Sequence, residues 1–565
     1  MGKNEFFPIF AATIQAVKSV CAAASPNGAM YKSQPLRTLL PLLVFKYAAK
    51  GFGRFLQTAL HALSRKHRQR DDTMLRKIRI ILGIICFAAI TFMFLDFTGT
   101  LKIWFHWLAH IQFIPALLSL HVGILTFLIL LTLIFGRIYC STICPLGVMQ
   151  DVIARIHNLR RKNRYTYSRP RNVLRYGLLI LTIGAYAAGL TGIVALVAPY
   201  SSYGRMAANL LQPIYIFGNN ILAAIAAHFD SYAFYSRDII IKSNLTLGIT
   251  LATFAAIFIL AWRNGRTYCN TICPVGTILG LLSRFSWLKV HISDDKCAKC
   301  GLCAKNCKAS CIDVESKSVD NSRCVACGNC IGVCRKNAIV YNHATKQHPT
   351  DKKETVDNGK RLFFIGSALA AASAAKAQKN KKLDGGLAPI SKKKEPHRNT
   401  PITPPGSLSA SNMARHCTSC QLCVSQCPND VLIPSTDLAH LMQPRISYEN
   451  GYCRPECTRC TEVCPTGAIR HLTKAEKSST QIGHAVWIRK NCLPVTDGIM
   501  CGNCARHCPT GAIQMVSDNS RKDKHIMIPV VNEEKCIGCG ACENLCPSRP
   551  YSAIYVEGHE LHKTI

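Results

Sequence analysis

The chain has 565 residues, 31 cysteines and a formal net charge of +37. Its basic runs, "RKHRQR", "RRKNR", "KKLDGG" and "SKKKEPHR", flank apolar stretches or lie in a linker, and no aromatic-interleaved basic face appears, which argues against a nucleic-acid binder. Most cysteines recur as C-x2-C-x2-C-x3-C, a rhythm foreign to disulfides and to the paired knuckles of zinc ribbons, which leaves iron–sulfur clusters.

Residues 1–73 are a basic N-terminal extension. Within it "LLPLLVFKYAAKGFGRFLQTALHALSRKHRQR" is either a basic amphipathic helix at a membrane surface or a variable segment upstream of Met74. Beyond it, Ile80–Leu95, Phe113–Phe135, Tyr176–Ala198 and Leu245–Trp262 carry no charged residue over near-spanning lengths. A membrane helix takes about 20 apolar residues, so 74–293 is expected to be a polytopic α-helical membrane domain of four transmembrane helices. The loop after the second helix, "RIHNLRRKNRYTYSRPRNVLR", is strongly basic, whereas 96–112 holds one Asp and one Lys, which puts both ends of the bundle in the cytoplasm. Asp96, His106 and His110 in the outer loop are candidate proton acceptors, against surface or capping roles; His121 is expected inside the second helix.

The bundle writes one phrase twice: "GRIYCSTICPLG" at 136–147 and "GRTYCNTICPVG" at 265–276. Each follows an even-numbered helix, so both lie on one face, and a pseudo-twofold would bring Cys140, Cys144, Cys269 and Cys273 together. Four converging thiols make a soft site for an iron–sulfur or other thiophilic centre, or a reversible dithiol.

Residues 294–341 are expected to be a two-cluster ferredoxin-like domain on the cytoplasmic side. Crossed pairing gives one cluster Cys297, Cys300, Cys303 and Cys334, the other Cys324, Cys327, Cys330 and Cys307. In "CKASCID" the usual Pro is missing, so Cys311 competes with Cys307. Within the linker 342–413, segment 360–377 reads as an export-like signal, a fifth membrane helix or an Ala-rich linker helix; either of the first two carries the rest of the chain outside. Residues 414–557 hold four more groups, two regular (Cys417, Cys420, Cys423, Cys427; Cys536, Cys539, Cys542, Cys546) and two irregular (Cys453, Cys457, Cys460, Cys464; Cys492, Cys501, Cys504, Cys508). A nested pairing is expected, outer groups exchanging fourth ligands and inner groups doing likewise. The total is about six [4Fe–4S] clusters, which also remove about 12 of the positive charges. The fold class is thus a helical membrane domain plus small α+β iron–sulfur domains.

The repeated Y-C-x3-C-P-x-G phrase, the "PYSSYGRM" loop at 199–206 and the two-cluster unit resemble NapH-type membrane ferredoxins. The export-like segment and the four groups after it resemble NapG/MauM-type ferredoxins, so the chain looks like a fusion of the two over about residues 74–557. The repeated phrase also occurs in NosR-like and CcoG-like proteins. What the resemblance implies is a quinol dehydrogenase component of the bacterial inner membrane. It would draw on the quinone pool and deliver electrons to an exported terminal reductase or its carrier, with 414–557 periplasmic. The CcoG-like alternative is a redox assembly or maturation factor that reduces a metal or thiol on a client. No C-x-x-C-H occurs, so no c-type haem is expected, and no Gly-rich dinucleotide fingerprint follows a strand. No catalytic residue is assigned.

Overall fold

The computed structural model describes residues 68–100, 102–160, 165–231, 233–343, 393–518 and 526–565. Nearly all of the basic extension and the whole of segment 360–377 lie outside the described residues. Residues Asp72–Ile565 make one compact unit.

Among the described residues three helices are long and apolar enough to cross a membrane: α1 (Met74–Leu95), α4 (Pro199–His228) and α5 (Asn244–Asn264). Two of the four expected spans are interrupted. The one over 113–135 breaks at Leu120, whose φ is 53°, leaving a half-helix Phe113–Leu118 and α2 (Val122–Phe135). The one over 176–198 breaks at Gly189, φ 77°, leaving α3 (Asn172–Ala187) and a second half-helix, Thr191–Val197. Unbroken apolarity measures burial, not continuity, and left-handed residues end a helix without a charge to announce it. His121 consequently stands at the N-cap of α2, not inside a helix. The stretch 199–206, expected as a loop, is the first two turns of α4; Pro199 sits in its first turn, where a missing N–H costs nothing. Hydroxyls inside the bundle bond back to their own helices, Thr132 to the Leu128 carbonyl at 2.8 Å and Thr250 to that of Thr246 at 2.7 Å, which satisfies these polar groups away from water.

Three modules of one design carry the cluster cysteines. Each has a cysteine group, a short antiparallel hairpin, then a second group; the hairpins are Ile312–Asp313 with Ser318–Val319, Leu432–Pro434 with Pro444–Ile446, and Ile513–Asp518 with Ile526–Val531. The first and third modules are also closed by an outer strand pair, Leu288–Ile292 with Ile339–His343 and Thr480–Trp487 with Ile554–Thr564. The first ferredoxin unit therefore extends beyond 294–341 at both ends, and the second domain runs to the last strand.

The two cluster-bearing parts meet the same helices at opposite ends. At the start of α1 a Cβ on Gly328 would lie 3.7 Å from that of Arg76, while at its end Gln426 Nε2 donates to the Met93 and Asp96 carbonyls, both at 2.7 Å. Just before α5, Lys242 pairs with Asp430 at 3.1 Å; just after it, Arg266 N donates to the Lys308 carbonyl at 2.9 Å. α1 spans 22 residues, about 33 Å, which sets the thickness of helix between the two parts.

Candidate iron–sulfur sites and a membrane thiol quartet

In the four regular groups the residues between cysteines adopt the same backbone. Lys299, Ala326, Ser419 and Gly538 all have positive φ, and so do Gly301, Gly328, Gln421 and Gly540 two residues on. Alternating left- and right-handed residues turn successive N–H groups inward into an anion-binding nest. Donors reach the sulfurs directly: Ser419 N to Cys417 Sγ at 3.4 Å, Ala338 N to Cys334 at 3.3 Å, Ile469 N to Cys464 at 3.4 Å and Ala553 N to Cys546 at 3.3 Å. These loops fit thiolate-held clusters.

In the first module Cys307, Cys311, Cys324, Cys327 and Cys330 line one cavity, in keeping with the crossed assignment of Cys307. The disputed pair lies sulfur to sulfur at 3.5 Å. The bond between them pulls Cys307 down to about 6 and, with a second bond to Cys324, pushes Cys311 up.

The nested pairing is overturned. In the second module burial first, then the neighbouring thiols with Cys464 among them, raises Cys417, Cys420 and Cys423, whereas Cys427 lies beside Cys453 and Cys460. In the third, Cys492, Cys501, Cys504 and Cys546 line one cavity, and Cys508 lies beside Cys536 and Cys539. Each fourth cysteine lies beside the first three of the consecutive group because the hairpin between them folds the chain back at once, and the shorter loop costs less entropy to close.

Where the apolar helices end, the structure brings Cys140, Cys144, Cys269 and Cys273 together, each 4 % exposed. The two copies of the phrase grip each other. Arg137 Nη2 donates to the Cys269 carbonyl at 3.0 Å and stands 3.9 Å from Cys140 Sγ; Arg266 Nη1 donates to the Cys140 carbonyl at 2.7 Å and stands 3.9 Å from Cys269 Sγ. Glycine is required where the arginines cross: a Cβ on Gly147 would meet the Cys140 carbonyl at 2.2 Å and Arg266 Nη1 at 2.7 Å, and one on Gly276 the Cys269 carbonyl at 2.1 Å and Arg137 Nη2 at 2.9 Å. Asp151 receives Arg266 at 2.8 Å, Lys308 at 3.1 Å and Arg79 at 3.8 Å. Burial alone would raise its carboxyl, but these cations hold it far below the usual range. The two arginines and closing glycines stand among the identical positions of the repeat, which was the available signal for their role. Nothing in the sequence pointed to Asp151.

Facing the second module, Tyr200 lies between Tyr139 on the quartet side and Cys420 and Cys464. Of the proton-acceptor candidates, Asp96 caps a turn, its Oδ1 accepting from Thr98 N, Thr98 Oγ1 and Gly99 N at 2.6–3.0 Å. His106, His110 and His121 instead form a file of edge-on rings, with centroids 5.9 and 6.1 Å apart. Burial, helped by its two neighbours, pushes His110 down to about 4.

Family models described as 4Fe-4S binding domains match residues 119–164, 246–293 and 317–340, and a 4Fe-4S dicluster domain matches 499–549, the third module. The ferredoxin-type protein MauM of Methylorubrum extorquens is 34% identical over 152 residues, 26% of this chain and 67% of that protein. NapG of Escherichia coli is 33% identical over 154 residues, 26% of this chain and 65% of its own length, and MauN of Paracoccus denitrificans 29% over 188 residues, 33% and 53%. The chain therefore spans between about half and two thirds of these relatives. No solved structure matches.

Proposed function

We propose, since the chain belongs to the ferredoxin-type protein family that takes in MauM and NapG, that it is the electron-transferring component of a membrane quinol dehydrogenase serving an exported reductase or its carrier. The observation that carries this reading is the docking of two cluster-bearing parts at opposite ends of α1 and α5. A chain that only stored clusters would have no use for that arrangement.

Six sets of thiols would hold [4Fe–4S] clusters: Cys297/300/303/334, Cys307/324/327/330, Cys417/420/423/464, Cys427/453/457/460, Cys492/501/504/546 and Cys508/536/539/542. When bound, such clusters supply one-electron transfer over a wide range of potentials. The chain's own work is to space the sets, keep water from them and dispose of protons. A quinol gives up two protons with its two electrons, and the file of His106, His110 and His121 at the bundle's edge offers ring nitrogens within reach of one another, with His110, pushed down to about 4, passing a proton on rather than keeping it. The basic loop at 155–175 argues that the first ferredoxin unit faces the cytoplasm of an inner membrane, which leaves the second and third modules on the periplasmic side.

The test is quinol-driven reduction of the clusters in proteoliposomes, read by EPR. Reduction of all centres by quinol alone is expected, and centres that stay oxidised would remove the quinol from the reading. His110→Phe is expected to lower the rate at least tenfold with iron content unchanged, somewhat below what a positioned acid or base typically contributes.

A further inference from the structure

The two matches at 119–164 and 246–293 each carry the description of a 4Fe-4S binding domain, yet each half of the quartet supplies only two thiols in its repeated phrase. Neither can hold a cluster alone. We propose that the halves jointly hold one iron–sulfur centre on Cys140, Cys144, Cys269 and Cys273, its negative charge balanced by Arg137 and Arg266.

The charges around the quartet call for an anion. Arg137 is fully buried, and among the described residues its guanidinium has no carboxylate partner. It reaches only Asn270 Oδ1 at 2.8 Å, the Ser322 and Cys269 carbonyls at 3.0 Å and Cys140 Sγ, and its Nε is unbonded. Arg266, equally buried, shares the single carboxylate of Asp151 with Lys308 and Arg79, and its Nη2 is unbonded. Three cations thus share one carboxylate and a fourth has none, and an unpaired buried charge is among the costliest things a protein can carry. Four thiolates on an iron–sulfur core supply about −2 at the point the arginines face.

The remaining donors agree. Gln150 Nε2 lies 3.3 Å from Cys269 Sγ, Gly276 N lies 3.3 Å from Cys273 Sγ, and Gly147 N bonds Cys144 in the matching position of the other half. Donors converge on these sulfurs as they do on the cluster sulfurs of the ferredoxin modules. The inference deepens the electron-transfer reading, since the quartet stands between Cys324, which feels Arg137, and Tyr200, which faces Cys420. Its test is independent of quinol.

The full chain, purified anaerobically in detergent, would be analysed for iron, acid-labile sulfide, zinc and copper as the wild type and as Cys140→Ser, Cys273→Ser, Arg137→Gln and Arg137→Lys. Each serine variant and Arg137→Gln should lose the same block of iron and sulfide, about two or four of each, with the EPR signals of the other clusters intact, while Arg137→Lys keeps the block. Unchanged iron in both serine variants overturns the site, and loss of zinc or copper in place of iron overturns its class. Should the serine variants not accumulate, wild-type iron decides: a total no higher than the roughly twenty-four atoms of six clusters overturns the proposal. If the block of iron is found but quinol reduces nothing, the quinol reading fails and the centre stands.

Discussion

Tyr200 is 2 % exposed, and among the described residues its hydroxyl has no partner, although it faces Cys420 and Cys464. Burying a hydroxyl without a hydrogen bond costs about 1–3 kcal/mol, so a sulfur acceptor there is the natural relief. Donors to cluster sulfur raise the reduction potential. Tyr200→Phe is expected to lower the potential of the Cys417/420/423/464 cluster by some tens of mV, about what one neutral hydrogen bond is worth, in an EPR redox titration. Cys307→Ser should abolish one cluster signal of the first module; Cys311→Ser, which keeps a hydroxyl donor in place, should only shift it. His562 gives a pH dependence. Burial, then His559, pushes it down to about 4, so between about pH 6.5 and 4 the unfolded chain binds a proton that the folded chain refuses. Stability from this ring is complete above pH 6.5 and falls as pH drops through that window; His562→Gln should flatten the fall in thermal-unfolding midpoint between pH 7 and 5.

Helices and cluster modules were legible in the sequence to different depths. The cysteine rhythm marked the groups, and the repeated phrase marked the quartet, because metal and charge chemistry tolerate few substitutes for these residues. Continuity of the membrane helices was not legible, since Leu120 and Gly189 look like any other apolar positions and reveal themselves only through φ. The ligand exchange was not legible either: the likeness between regular groups points to a nested pairing, whereas the short hairpins between neighbours decide it. Cys464→Ser should therefore erase the signal of the cluster on Cys417, Cys420 and Cys423, and leave that on Cys453, Cys457 and Cys460. Glycines in helices separate crowding from propensity. Gly276→Ala meets backbone at 2.1 Å and is expected to cost about 1–3 kcal/mol or more, whereas Gly184→Ala, with nothing within 4 Å, should be neutral or stabilising by up to about 1 kcal/mol in detergent unfolding.

At the scale of the whole molecule the sidedness of the two parts has the sharpest test. Reporter fusions after residue 345 and after residue 565 are expected in opposite compartments. Two cytoplasmic readings would leave no exported partner.

The contact between the helical bundle and the second module joins a shared apolar core, in which Phe94, Tyr203 and Met206 pack with Leu422 and Val424, to a set of polar bonds. Asp430 takes Arg237 at 3.0 Å and Lys242 at 3.1 Å, Asn209 donates to Gln421 at 2.7 Å, Gln212 to the Ser425 carbonyl at 3.0 Å, and Gln426 caps the end of α1. Because both sides belong to one polypeptide, the encounter is a unimolecular closure at an effective concentration on the order of mM, so an interface of only about 10 μM strength stays almost wholly shut. Fusion also fixes the ratio of the two parts at one to one whatever their rate of synthesis. Cutting the chain between residues 343 and 393 would turn that closure into an ordinary bimolecular equilibrium, in which dilution alone parts the donor from its acceptor.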